Sequence, residues 1–373
     1  MPQIELRKVS KYFGPVKAVR NITFTVKDRE YFTMLGPSGC GKTTILRMIA
    51  GLIAPTKGSV LIDGKDVINV PPHLRGTGYV FQHFAIFPHV DVWENVAYGP
   101  LIAGIPMEEV EERVYEALSI VHLDHRPYAF PRELSAPDLQ RTGIARVLAS
   151  GAQLLLLDEP IGTLDLKIRE EFQDELRAIV KDFGLTAIHV THDQAEAMAI
   201  SDRILVLRQG KFQQVGTPEN LYYNPRKPFV GHFLGESNFF EGTIVRKSSA
   251  DIETPTRFLF RGGHRIKAPK TQIPVGYRAL LGIRKEFIEL LPKSETKPKN
   301  AIPGKIQEVR FLGTMYRVIV ELESRVRFEV KVAATEELGS FHPGDSAWIK
   351  FPPERLWIYK YPKKGLAQAL AVT

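Results

Sequence analysis

Eight consecutive residues, Gly36-Pro37-Ser38-Gly39-Cys40-Gly41-Lys42-Thr43, fit the pattern G-x-x-x-x-G-K-[ST]. Glycines at such positions let the backbone close around phosphate groups, with N–H donors converging inward and a helix N-terminus behind them. Lys42 is then placed to reach the β- and γ-phosphates of a nucleotide, and Thr43, with Thr44 beside it, offers a hydroxyl to Mg²⁺. Cys40 reads as a small loop residue rather than a reactive thiol. Further along, the apolar run Leu154-Leu155-Leu156-Leu157 ends in Asp158-Glu159-Pro160. A buried strand that ends in two carboxylates delivers them to the carboxyl edge of an open α/β sheet, where ligands bind. Asp158 reads as the metal-side group, and Glu159 as the group that polarises an attacking water or takes its proton. His192 ends the run Ile188-His189-Val190-Thr191 and Gln82 follows Tyr79-Val80-Phe81, so both belong on that same edge. Phe13 is an aromatic that could stack on a purine, although an isolated aromatic more often belongs to a core.

These side chains need a particular frame. Residues 31–35 read as a strand running into the phosphate loop, and residues 44–49 as a helix closed by Gly51. Residues 108–121 carry Val110, Val114, Ala117, Leu118 and Val121 at helical spacing, with glutamates opposite. The run 154–157 is the pattern of a parallel strand covered on both faces. A charged amphipathic helix follows over 166–183, then short strands over 187–191 and 204–207. This alternation predicts an α/β fold with a mainly parallel sheet. Beyond about residue 240 the texture changes to short β-rich runs (258–260, 277–283, 316–322, 326–332, 347–351 and 356–359) broken by Gly, Pro and Asn. That pattern predicts a small all-β barrel, with residues 293–300 as a solvated loop.

Composition narrows the classes. The 373 residues are 44% hydrophobic and 25% charged, which suits an ordinary soluble protein of two or three domains. The single cysteine excludes an internal disulfide framework and a cysteine zinc cluster. No apolar run approaches the ~20 residues that span a bilayer, and no secretory signal is visible, so the expectation is a cytoplasmic protein. Charge is unevenly spread. Residues 1–240 hold 26 basic and 28 acidic groups, whereas residues 241–373 hold 24 and 14, so the net +8 resides in the last third.

With these motifs in order, the chain resembles the nucleotide-binding subunits of ABC transporters, in particular the maltose- and polyamine-importer ATPases. The resemblance implies a P-loop NTPase cassette over residues 1–235, with a helical subdomain at about 85–150, and a regulatory OB-like barrel of the TOBE type over 236–373. It implies ATP and Mg²⁺ as ligands and ATP hydrolysis as the activity. Phe13 would stack on adenine, residues 36–44 would form the phosphate loop, and Gln82 would sense Mg²⁺ and contact a membrane subunit. Asp158 and Glu159 would be the metal-binding and catalytic carboxylates, His192 the switch histidine and Asp165 the aspartate of a dimer-contact loop. Residues 84–98 would line the groove for that membrane subunit. The implied partners are a second ATPase subunit, two integral membrane permease subunits and, indirectly, an extracytoplasmic solute-binding protein, at the cytoplasmic face of the membrane. No nucleic-acid partner is expected.

One motif departs from the family pattern. The signature, normally L-S-G-G-Q, falls at Leu134-Ser135-Ala136-Pro137-Asp138. In the family this segment closes over ATP held by the other subunit. Here Ser135 is retained, but Ala136 crowds the approach, Pro137 has no N–H to donate, and Asp138 brings negative charge towards a phosphate. Asp138 also reads as a helix-start residue. In the dimer-contact loop, Gly162 stands where the family usually has serine. Two readings stand side by side: pairing with a non-identical cassette whose signature is intact, or a homodimer of slow turnover. The runs Phe233-Leu234-Gly235-Glu236-Ser237-Asn238-Phe239-Phe240 and Leu281-Gly282-Ile283-Arg284 point to the polyamine branch, with sugar, ferric iron or phosphonate import as alternatives. A non-hydrolysing structural subunit is disfavoured by the joint retention of Lys42, Gln82, Asp158, Glu159 and His192.

Overall fold

Burial on both faces dictates the central layer. In the computed structural model, which describes residues 2–82, 85–161, 166–246, 256–260, 263–334 and 341–372, every residue of Tyr31–Leu35 (β3), Leu154–Asp158 (β7) and Thr186–Thr191 (β8) is buried. These strands lie in a six-stranded sheet of order β10-β9-β3-β8-β7-β6, completed by Thr77–Val80 (β6), Arg203–Arg208 (β9) and Lys211–Gly216 (β10). All neighbours are parallel except the β9–β10 hairpin. The period of two divides β7 between two cores. Leu154 and Leu156 join Ile45, Leu46 and Ile49 of the first helix, Lys42–Ala50 (α1), while Leu155 and Leu157 join Phe172 and Leu176 of Leu166–Asp182 (α5).

The first core is closed by an antiparallel sheet that the sequence reading did not anticipate. It has the order β2-β1-β4-β5, from Ile4–Phe13 (β1), Val16–Val26 (β2), Lys57–Ile62 (β4) and Lys65–Asp66 (β5). The second core also takes in the helices Val92–Ile102 (α2), Met107–Ile120 (α3) and Ala136–Ala149 (α4). Asp91 starts α2 by accepting the Glu94 N–H at 2.8 Å, with the Glu94 side chain returning to the Asp91 N–H. Gln194–Ile200 (α6) follows β8.

The chain divides into two compact units, Met1–Pro218 and Glu219–Val372. That division falls earlier than the expected residue 235, because Pro218–Tyr223 (α7) and Pro228–Phe233 (α8) are bonded to the strands that follow them. Arg284 makes two of those bonds. Its fully buried guanidinium donates to Gly231 O at 2.7 Å and Tyr222 O at 3.1 Å, and lies 4.0 Å over the Tyr222 ring. Trp357 Nε1 and Tyr359 OH add bonds of 2.8 Å to Tyr223 O and Pro225 O.

Two five-stranded antiparallel sheets make up the rest of the second unit. One has the order β13-β12-β11-β14-β20, from Ser237–Arg246 (β11), Thr256–Phe260 (β12), Arg265–Ala268 (β13), Arg278–Arg284 (β14) and Trp357–Lys360 (β20). The other is β15-β19-β16-β17-β18, from Glu289–Pro292 (β15), Ala301–Phe311 (β16), Met315–Glu321 (β17), Arg327–Ala333 (β18) and Ser346–Lys350 (β19). Both contribute to one core, in which Phe240, Phe258, Phe260, Phe328 and Phe351 pack ring against ring. This is the expected all-β barrel. Among the described residues, no helix is long and apolar enough to cross a membrane.

Candidate nucleotide site

The loop between β3 and α1 is held open by its glycines. A Cβ on Gly36 would lie 2.4 Å from Leu207 O and 2.7 Å from Cys40 Sγ, so no side chain fits there. Gly41 adopts φ 103° and would set a Cβ 2.6 Å from Ala18 O. Gly39 also has positive φ. The loop tightens through Cys40 N–H to Pro37 O at 3.2 Å. Burial pushes the Cys40 thiol above its usual range, against its use as a nucleophile. Lys42 is 5% exposed, and its ammonium donates to Gly36 O at 2.7 Å and Pro37 O at 3.1 Å. The charge is thus fixed inside the loop by carbonyls at its start, with a third N–H to offer. Thr44 follows Thr43 in the first turn of α1.

The carboxyl edge of the sheet brings the other side chains together. Asp158, 5% exposed, accepts from Thr43 Oγ1 at 2.9 Å on Oδ1 and from Tyr79 OH at 2.8 Å on Oδ2. Burial, then the adjoining carboxylate, pushes the Tyr79 phenol well above its usual value, which keeps it a donor. Glu159 has φ 49°, a left-handed conformation that costs a non-glycine residue about 1–3 kcal/mol. Three neighbours hold it there. Its N–H donates to Val190 O at 2.9 Å, Gln82 Nε2 donates to its Oε2 at 3.1 Å, and His192 Nδ1 lies 3.2 Å from its Oε1. Half of the His192 side chain faces solvent and Glu159 remains partly accessible, so water can reach the carboxylate. Phe13 ends β1 half-exposed, with Lys11 Nζ 5.1 Å from its ring.

The signature segment folds differently from the expectation that Asp138 starts a helix. Helix α4 begins at Ala136 with Ser135 as its cap, and Asp138 is its third residue. Ser135 Oγ donates to Asp138 Oδ2 at 2.8 Å, Ser135 N–H reaches the same oxygen at 3.4 Å, and Asp138 N–H donates to Ser135 Oγ at 3.3 Å. A capping box of this kind satisfies the helix end internally. The reason is spacing: Ser and Asp three apart form the box, and Pro137 fits the first turn without needing a donor. Arg141 ties Asp138 at 3.4 Å and Glu175 at 2.8 Å. Gln140, buried, donates to Pro160 O at 2.7 Å and so links α4 to the residue after Glu159.

Lys42, Thr43, Gln82, Asp158, Glu159 and His192 therefore lie along one sheet edge, whereas Ser135 stands at the start of α4. Asp165, with residues 162–164 and residue 84, lies outside the described residues. Tyr79 and Gln140 were passed over by the sequence reading; the local signal for Tyr79 was only an aromatic in a short strand.

Residues 19–162 match the ABC transporter family and residues 281–358 the TOBE domain. A spermidine/putrescine import ATP-binding protein PotA from Acidothermus cellulolyticus is 40% identical, over 98% of this chain and 93% of its own. The protein of the same name from Thermobifida fusca is 40% identical over 96% and 94%. Among solved structures, the dimeric ATP-binding cassette MJ0796 in a post-hydrolysis state with ADP and Pi is 31% identical. It covers 58% of this chain and 98% of its own, with a TM-score of 0.52. With a phosphate loop, a carboxylate pair and a C-terminal β-barrel in place, the chain belongs to the ABC transporter family as the ATP-hydrolysing subunit of an importer.

Proposed function

We propose that this chain binds ATP on its own phosphate loop, hydrolyses it with Glu159, and powers import of polyamines. The observation that carries the reading is the joined cluster Lys42, Thr43–Asp158 and Gln82–Glu159–His192. Lys42 binds the β- and γ-phosphates. Glu159 accepts the proton of the attacking water, and His192 and Gln82 hold its two oxygens in register. Phe13 stacks on the adenine.

The donor set suits Mg²⁺. A hydroxyl and a carboxylate are hard oxygen ligands, and one protein carboxylate plus nucleotide phosphates is the usual arrangement for this ion. Thr43 and Asp158 would hold it, with Gln82 beside them, and the ion when bound neutralises phosphate charge. The remaining ligands of such an ion would come from nucleotide phosphates and water.

The solute follows from the relatives named for spermidine/putrescine import, and the partners follow from that assignment: two membrane permease subunits and an extracytoplasmic solute-binding protein, with this chain at the cytoplasmic face. The ATPase cassette occupies the first unit, with α2, α3 and α4 as its helical subdomain, and the TOBE barrel the second. The self-capped signature favours pairing with a non-identical cassette. Ser135 already spends its hydroxyl on Asp138, and Pro137 has no N–H, so this chain has little to offer a partner's γ-phosphate. The reading is tested with reconstituted complexes, whose ATPase rate should rise with a polyamine-loaded binding protein and not with a sugar-loaded one. Stimulation by the sugar-loaded protein alone contradicts it.

A further inference from the structure

Asp158 is held at both oxygens from two different elements, α1 and β6. Thr43 Oγ1 donates to Oδ1 at 2.9 Å, and the Tyr79 hydroxyl donates to Oδ2 at 2.8 Å. The strand register makes this reach possible. Tyr79 on β6 pairs with Leu156 on β7, and Asp158 lies two residues on, on the same face of the sheet. The Tyr79 ring is fixed in turn, with Phe81 at 4.4 Å between centroids and the first core behind it.

From this arrangement we infer that Tyr79 is a positioning residue that sets the orientation of the Asp158 carboxylate for the nucleotide's divalent ion. The inference rests on the assignment of Asp158 to that ion. A carboxylate with one free oxygen can rotate about its last torsion and lose its alignment with Thr43. With Oδ2 tied to a phenol on a neighbouring strand, it cannot. Partners of this outer kind commonly change metal affinity by about ten- to a hundredfold when removed. Tyr79 touches neither the nucleotide loop nor Glu159 in the described contacts, so its removal should leave metal-free nucleotide binding unaltered.

The test uses the full-length protein, a fluorescent ATP analogue and a Mg²⁺ titration, with a parallel binding curve in EDTA. Tyr79→Phe keeps the ring and removes only the hydroxyl. The Mg²⁺ concentration for half-maximal binding should rise at least about tenfold, with affinity in EDTA unchanged. An unchanged Mg²⁺ requirement in Tyr79→Phe, while Asp158→Asn shifts it, overturns the role of Tyr79. Equal weakening with and without Mg²⁺ also overturns it, since that is what a merely structural tyrosine would give. If Asp158→Asn itself leaves the Mg²⁺ requirement unchanged, the underlying assignment of Asp158 fails.

Discussion

Restoring the signature should make the purified chain a faster ATPase. The perturbation is the combined change Ala136→Gly, Pro137→Gly and Asp138→Gln. In the folded chain Asp138 Oδ2 takes the Ser135 hydroxyl at 2.8 Å and the Ser135 N–H at 3.4 Å. Replacing that carboxylate by a neutral amide weakens its hold on both donors, glycine at 137 returns an N–H, and a negative charge leaves the helix start. One hydrogen bond to a charged phosphate oxygen contributes ~1.5–3 kcal/mol. If it forms only as hydrolysis proceeds, the rate rises roughly ten- to a hundredfold. The same change destabilises α4. An amide at the third helical position accepts more weakly than the carboxylate, and each glycine in place of a better helix residue costs up to ~1 kcal/mol. Rate and stability should therefore move in opposite directions. Steady-state phosphate release from the purified chain reports the first, and thermal melting the second. A folded triple variant with an unaltered rate would refute the reasoning that this segment limits hydrolysis.

Three further outcomes follow from named contacts. Lys42→Met removes an ammonium fixed by two carbonyls of the loop and should weaken ATP binding at least about tenfold, read by nucleotide titration. Phe258→Ala opens the core of the second unit, where Phe258 is fully buried against Phe260, and should lower that unit's stability by about 3–5 kcal/mol in denaturant unfolding. Asp202→Asn gives a pH signature. Burial alone raises the Asp202 carboxyl, but Lys181, the Tyr31 N–H and Arg177 outweigh it and hold the group below its usual 3.8. A carboxyl depressed by folding stabilises the protein above its unfolded pKa, and that stability is lost as pH falls through the lower folded value. The parent should thus melt above the variant at pH 7, with the gap closing below about pH 4.

What could be read from the sequence was local or strictly periodic. The phosphate loop is contiguous, and β7 announces itself by four leucines ahead of two carboxylates. His192 and Gln82 were placed because each ends a short apolar run. The early antiparallel sheet was missed because β1 breaks the period of two. Its pairing with β2 shifts register between Leu6 and Val9 and again by Tyr12, and Lys8 has positive φ. Tyr79 became visible only through the β6–β7 register, a contact 79 residues apart in sequence. The Ser135–Asp138 box was within reach, since Ser-x-x-Asp ahead of a helix is a capping pattern, yet Asp138 alone was read as the start. The unit boundary shifted for a non-local reason too, as Arg284 binds carbonyls more than fifty residues earlier.

The account's central claim is that Glu159 of this chain carries hydrolysis of the ATP held by its own phosphate loop. Glu159→Gln keeps the size of the side chain and its contacts with Gln82 and His192 within reach, while removing its basicity. Paired measurements of ATP affinity and of phosphate release, on the chain reconstituted with its membrane partners, separate binding from chemistry. The account predicts affinity within a few-fold of the parent and hydrolysis lower by about 10²–10⁴. Hydrolysis at the parental rate in that variant would contradict it.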